Sequence, residues 1–223
     1  AHPRRRRRPI QLTFVFGSHC PWSHAVGPTI ESLLDSHDRL SVEVVHGSLF
    51  AGAHVQPVAQ IKWLPSTIGS VAALTGAHFG AAYAQLAERG TFVADSEQAA
   101  VGFVALRSIA PDLAVPLATA MHRAFFHDGR SLADSRTYAA IAAAHDISIA
   151  RVNERLVDRT IRRIARYEAR RALALGVTTY SALQLHARDG AVPIATRLRS
   201  VEQLAEALRE HEHLASVRLV PND

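Results

Sequence analysis

The sequence predicts an α/β fold in which a small sheet is opened by a parallel β-α-β unit, closed by a C-terminal hairpin, and interrupted between them by a large helical insertion. Three observations carry this. The apolar run "IQLTFVF" at 10–16 and the alternating, β-branched "LSVEVVH" at 40–46 read as strands on either side of one helix-length segment. From about 56 to 145 the pattern is helical, with no good strand. Near the C-terminus, "SALQLHA" and "AVPIAT" flank Arg188-Asp189-Gly190, a hairpin signal.

The first strand ends at Gly17, and a helix starts near Cys20 or Pro21, since proline fits a first turn, and runs to about Ser36. A β-α-β order implies a parallel pair joined by a right-handed crossover. Within the helical block, Asp95 with Gln98 forms a capping-box pattern, Pro111 suits a helix start, and Asp134 caps "SRTYAAIAAAH". One long amphipathic helix is expected over 148–175, capped by Ser148 and stopped at Gly176. After the hairpin, Ser200 with Gln203 caps a last helix to about His211. This order is the thioredoxin plan with a large helical insertion. It divides the chain into an Arg-rich tail at 1–9, a thioredoxin-like part at 10–55 and 146–223, and an inserted subdomain at 56–145.

Composition excludes several classes. The chain has 223 residues, 48% hydrophobic and 20% charged, which is ordinary for a globular domain. Aromatics are only 6%, so the expected core is Ala, Leu, Val and Ile. No apolar run approaches the roughly 20 residues that cross a bilayer. The basic start followed by "IQLTFVF" has too short an apolar run for a signal peptide and no small-residue cleavage site after it, so the expected location is cytoplasmic. The net charge of +5 gathers in "RRRRR" at 4–8, set off by Pro3 and Pro9, and in "RTIRRIARYEARR" at 159–171. The first reads as a solvated tail and the second as a helix face. Neither has the motif context that would make nucleic acid the partner.

Chemistry concentrates in "SHCPWSH" at 18–24, which holds the chain's single cysteine, Cys20. "FVFGSHCPWSHAVGP" at 14–28 resembles the strand, loop, motif and helix start of the DsbA-like thioredoxin-fold family. "HGSLFAG" at 46–52, "LTGAHFGAAYAQL" at 74–86 and "DSEQAA" at 95–100 are similar to the insertion of its cytoplasmic oxidoreductase branch. "EARRALALGVTTYSALQLHARDG" at 168–190 is similar to the entry into the third sheet strand. The resemblance implies a C-x-x-C site faced by a cis-proline, and the chain departs from both. Ser23 stands in the resolving cysteine's place, and alignment by the flanks puts Thr179, Tyr180 and Ser181 at the facing loop, with Ser181 at the proline position. A cis bond without proline costs about 3–4 kcal/mol, so a trans Tyr180–Ser181 peptide is expected, with Tyr180 or Ser181 turned into the pocket of Cys20 and Trp22.

At a helix N-terminus, unpaired N–H groups and the dipole favour thiolate over thiol at Cys20. Ser23 cannot resolve a mixed disulfide, which excludes an intrinsic dithiol cycle. Three readings remain. Cys20 acts as a monothiol whose mixed disulfides an external small thiol resolves, with Ser23 donating to the thiolate. Alternatively the site activates a small thiol: "CPWS" resembles the Ser-Pro-Tyr-Ser of kappa-class glutathione transferases and chromene-carboxylate isomerases. In the third reading the fold is redox-inactive and repurposed for another reaction or for metabolite or protein binding, with Cys20 an inert buried residue. The candidate catalytic residues are Cys20, Ser23, His24 and His19, the two histidines as acid, base or thiolate stabiliser. The substrate-binding candidates are Pro21, Trp22, Thr179, Tyr180 and Ser181. The implied co-substrate is glutathione or another low-molecular-weight thiol, acting on a thiol, disulfide or electrophilic small molecule, with no bound cofactor. Cys20 with a histidine supplies only two ligands and no partner motif, so no metal is expected. His122/His127 and His211/His213, among 13 histidines, read as surface residues. The oligomeric state stays open, a homodimer included.

Overall fold

The computed structural model describes residues 10–177, 179–187, 190–196 and 200–217. The Arg4–Arg8 run, the Arg188-Asp189 turn and the side chains of His211 and His213 lie outside the described residues. In chain order, β1 (Ile10–Phe16), α1 (Pro21–Asp35) and β2 (Leu40–His46) form the opening unit. The central block runs through β3 (Gln56–Pro57), α2 (Leu64–Thr75), α3 (Ala81–Arg89), β4 (Val93–Ala94), α4 (Ser96–Arg107), α5 (Ala114–Phe126), α6 (Ser135–Ala144) and α7 (Ile149–Val157). Then come α8 (Arg159–Ala174), β5 (Ala182–Ala187), β6 (Gly190–Ile194) and α9 (Val201–Val217).

The four-stranded sheet has the order β2-β1-β5-β6. β1 pairs parallel with β2, Ile10 opposite Leu40 and Phe16 opposite His46, and antiparallel with β5. Being central, β1 is buried on both faces, which explains why its sequence reads as an unbroken apolar run. Its alternation sorts the two faces: Leu12, Phe14 and Phe16 enter the large core shared with the helical insertion, while Val15 joins a small cluster around Cys20.

Local capping sets most helix starts as the sequence implies. Asp95 Oδ1 accepts from the amides of Glu97 and Gln98 at 2.8 and 3.3 Å, and Asp134 and Ser148 cap α6 and α7. Ser200 and Gln203 exchange hydrogen bonds, the amide of Ser200 to Gln203 Oε1 and that of Gln203 to Ser200 Oγ.

Four features differ from expectation. The helix expected over 148–175 is broken into α7 and α8. Asp158 sits at the break in extended conformation, with its carboxylate accepting from the Thr160 amide at 2.7 Å, so a local cap outcompetes helix continuation. The helical block contains one strand pair, β3 with β4, two residues each and too short to leave a periodic signal. α9 extends beyond His211 to Val217. The core is also more aromatic than its composition suggests: all eight phenylalanines are in the large core or packed on it, because Phe79, Phe92, Phe125 and Phe126 gather in the insertion.

Candidate active site

Cys20 is the N-cap of α1, in extended conformation, with Pro21 buried at the first helical position. The loop before it is closed by hydrogen bonds converging on Gly17. The Gly17 carbonyl accepts from the Cys20 amide at 3.0 Å, and the Gly17 amide donates to Ser23 Oγ at 3.2 Å. Ser23 is fully buried and ties the motif helix back onto its own loop. The Cys20 thiol donates to the Tyr180 carbonyl at 3.4 Å. Cys20 is 5% exposed and packs with Val15, Val45, Ala172, Val177 and Tyr180, with Trp22 and Leu49 against the cluster.

Tyr180 is placed by two glycines and one amide. A side chain on Gly47 would overlap Tyr180 Cε1, and one on Gly17 would stand 3.5 Å from Tyr180 Cγ, so the ring lies across both. Its hydroxyl accepts from the Ser48 amide at 2.8 Å. Burial pushes the phenol's pKa up, the Ser48 bond opposes this, and the nearby Cys20 adds to the rise. Ser181 turns away from the thiol: its Oγ lies 3.2 Å from Thr196 Oγ1 and its carbonyl accepts from Thr196. The Tyr180–Ser181 peptide is cis, which corrects the expected trans bond. The contacts that fix its two sides, the Tyr180 ring over Gly47 and the Ser181–Thr196 pair, are tertiary ones on which the local preference has no say.

The two candidate histidines leave the thiol side. His19 is 2% exposed, with its ring 4.9 Å from Phe125, 5.6 Å from Phe92 and 5.9 Å from Phe50 by centroid, and its Nδ1 3.2 Å from Ser18 Oγ. Burial lowers its pKa to about 3, so it is neutral near pH 7. His24 Nε2–H donates to the His78 carbonyl at 3.0 Å, the ring lies among Phe79, Phe126 and His122, and its pKa is also lowered by burial. Thr179 is exposed beside Tyr180. The structure thus brings Cys20, Pro21, Trp22, Ser23 and Tyr180 together and directs His19, His24 and Ser181 elsewhere.

Sequence reasoning misses Gly47, Ser48 and Leu49 as parts of this pocket, although they lie in "HGSLFAG", a stretch similar to the family's insertion. It also misplaces His122. Expected at the surface, His122 is 0% exposed, because α5 turns it inward where its Nε2–H donates to the Gly17 carbonyl at 3.0 Å. Among the described residues no group of three His, Cys, Asp or Glu could hold a metal ion, and no helix is long and apolar enough to cross a membrane. What the site offers chemically is one thiol at the positive end of a helix, bonded to the backbone carbonyl of Tyr180 and flanked by Trp22 and the Tyr180 ring.

A family model described as a DSBA-like thioredoxin domain matches residues 11–178. Among solved structures, a protein assigned as a disulfide isomerase from Nitrosomonas europaea is similar with a TM-score of 0.79 at 20% identity, over 93% of this chain and 99% of that one. The cytosolic disulfide reductase DsbM from Pseudomonas aeruginosa, in a structure with GSH, has a TM-score of 0.75 at 18% identity, over 91% and 99%. A 2-hydroxychromene-2-carboxylate isomerase gives 0.63 at 13% identity, over 93% and 97%. At these identities the likeness concerns the fold. No curated protein matches the chain by sequence.

Proposed function

The chain belongs to the DSBA-like thioredoxin domain family, and on that premise we propose that it is a monothiol enzyme in which Cys20 exchanges disulfides with a low-molecular-weight thiol such as glutathione. The observation that carries this reading is the placement of the chain's one cysteine at the N-cap of α1, with its sulfur 3.4 Å from the Tyr180 carbonyl. The Cys20 thiolate attacks one sulfur of a substrate disulfide; a new S–S bond forms, the old one breaks, and the other half leaves as a thiolate. A second small thiolate then attacks the mixed disulfide and returns Cys20. One small thiolate enters, one thiolate leaves and the number of disulfides is unchanged, so the exchange needs no second protein cysteine. Ser23 holds the loop, while Trp22 and Tyr180 wall the approach and Thr179 offers an exposed edge beside it. The DsbM structure with GSH supports a small thiol as co-substrate, and its cytosolic description supports a cytoplasmic setting. All strands of the four-stranded sheet fall within 10–55 and 146–223, which supports the same division of the chain into body and insertion.

A second reading rests on the burial of Cys20 and its bond to a carbonyl, which suit a thiol that packs rather than reacts. Here the family member is redox-inactive and binds a metabolite or protein partner. Incubation with oxidised glutathione followed by intact mass separates the two. Monothiol chemistry gives one glutathionyl adduct per native chain, removed by reduced glutathione. An adduct that forms only on denatured protein selects the second reading.

A further inference from the structure

We propose that His122 is a positioning residue for Cys20, acting through the Gly17 carbonyl from the far side of the motif loop. This rests on the proposed use of Cys20, but not on which thiol it exchanges with.

The Gly17 carbonyl accepts two hydrogen bonds, from the Cys20 amide within the loop and from His122 Nε2 on α5, each at 3.0 Å. The second partner is 105 residues away in sequence, so it pins the nucleophile's loop to the helical insertion and not to the loop itself. The Gly17 amide is also engaged, by Ser23, which leaves the residue held from three directions. Because a carbonyl only accepts, His122 must carry its proton on Nε2, and Nδ1 is then the bare nitrogen. That tautomer is held in a fixed ring orientation: Phe16 lies edge-on at 5.5 Å and Phe126 at 6.3 Å by centroid. The ionisable groups facing this ring are imidazoles. His24 of α1 is 6.1 Å away by centroid, and His19 of the motif loop and His46 at the end of β2 interact with it electrostatically. Burial lowers the pKa of His122 to about 3, so the donor is an uncharged imidazole throughout the neutral range.

The position of the Cys20 sulfur depends on where its loop sits, and this bond ties the loop's backbone to the insertion, beside the packing of the His19 ring on Phe92 and Phe125. Two substitutions divide ring from donor. His122→Phe keeps an aromatic ring among Phe16 and Phe126 but has no donor, whereas His122→Gln keeps an N–H near the Nε2 position and has no ring. The probe is iodoacetamide alkylation of Cys20 at neutral pH, followed by intact mass. Loosening the loop should raise the alkylation rate about fivefold in His122→Phe, the size set by one buried hydrogen bond, and His122→Gln should stay within about twofold of wild type. If His122→Phe alkylates like wild type, or His122→Gln behaves like His122→Phe, the proposal is overturned. Should His122→Phe not fold, His122→Leu serves as the donorless variant. Imidazole ¹⁵N spectra of the unsubstituted protein give an independent reading: His122 must show the Nε2–H tautomer, and an Nδ1–H tautomer overturns the assignment. Since alkylation needs no glutathione, failure of the glutathione adduct would remove the monothiol reading and leave this test intact.

Discussion

The loop from Gly17 to Cys20 separates two buried regions of opposite character. On one side Cys20, a residue 5% exposed, lies among the aliphatic side chains of Val15, Val45, Ala172 and Val177, with Tyr180 and Trp22 against them. On the other, His19, His46 and His122 are 2%, 1% and 0% exposed and lie among phenylalanines: His19 against Phe125 and His46 and His122 against Phe16. The thiol therefore sits in the more ordinary hydrophobic setting, and the unusual chemistry, three uncharged imidazoles in an aromatic core, lies on the other side of its loop. Polar groups this enclosed are costly to ionise, so that side should fail first when protons are plentiful, whatever the thiol does.

The largest expected effect tests that contrast directly. Burial lowers the pKa of His19, His46 and His122 from 6.5 to about 3 in the folded protein. Between these values the unfolded chain binds more protons than the folded one. Stability is therefore fully present above pH 6.5 and is lost as pH falls from there towards 3. Each histidine contributes a slope of roughly 1.4 kcal/mol per pH unit, so three together give about 4, enough to unfold a domain of ordinary stability by about pH 5. Urea unfolding measured in steps across this range should show a falling midpoint, and His46→Phe should reduce the slope by about a third. The carboxylates held low by arginine or by amides, such as Glu43 beside Arg171 and Asp158 at the start of α8, give up their stabilisation only below their ordinary range of about 4, so they do not produce this loss. A midpoint that stays level down to pH 5 would break the comparison.

A smaller effect is expected on the thiol side. Gly47 lies under the Tyr180 ring, and an added methyl would overlap it. Gly47→Ala should destabilise by about 1–3 kcal/mol, as overpacking does, and displace Tyr180 from the Ser48 amide. The added methyl points at the Tyr180 ring and not at His46, the residue before it, so the acid slope should match that of the wild type. If Gly47→Ala also alters the acid slope, the two sides of the loop are one unit.

How much of this could be read from sequence depends on how far apart in the chain the partners are. The opening β-α-β unit, the caps at Asp95, Asp134, Ser148 and Ser200, and Pro21 after Cys20 are all decided within a few residues, so their signals are local. Asp158 is local too, but an aspartate inside an amphipathic pattern looks like part of its polar face, and the break between α7 and α8 was hidden. Tyr180 came from alignment of its flanks with a family pattern. Gly47 under its ring, the Ser181–Thr196 pair and the bond from His122 to Gly17 span 15 to 133 residues. No periodicity or spacing records them, which is why the cis peptide and the burial of His122 contradicted expectation. The concentration of phenylalanine in the insertion escaped for a related reason, since composition counts residues without placing them.

The smallest expected effect sharpens the thiol side further by separating the Tyr180 ring from its hydroxyl. The ring packs over Gly17 and Gly47, while the hydroxyl makes one hydrogen bond, accepting from the Ser48 amide at 2.8 Å. Tyr180→Phe keeps the packing and leaves that amide without its partner, so the expected loss is about 1 kcal/mol. The Tyr180 carbonyl, which accepts from the Cys20 thiol, is a backbone group and stays where the ring places it. Alkylation of Cys20 should therefore change little in Tyr180→Phe, whereas Tyr180→Ala, which removes the ring as well, should expose the sulfur and speed the reaction. Equal alkylation rates in Tyr180→Ala and wild type would mean that the thiol's shelter comes from the rest of its cluster, Val15, Val45, Ala172 and Val177 with Trp22 and Leu49. A rate that rises already in Tyr180→Phe would instead place the control of access in the Ser48 loop.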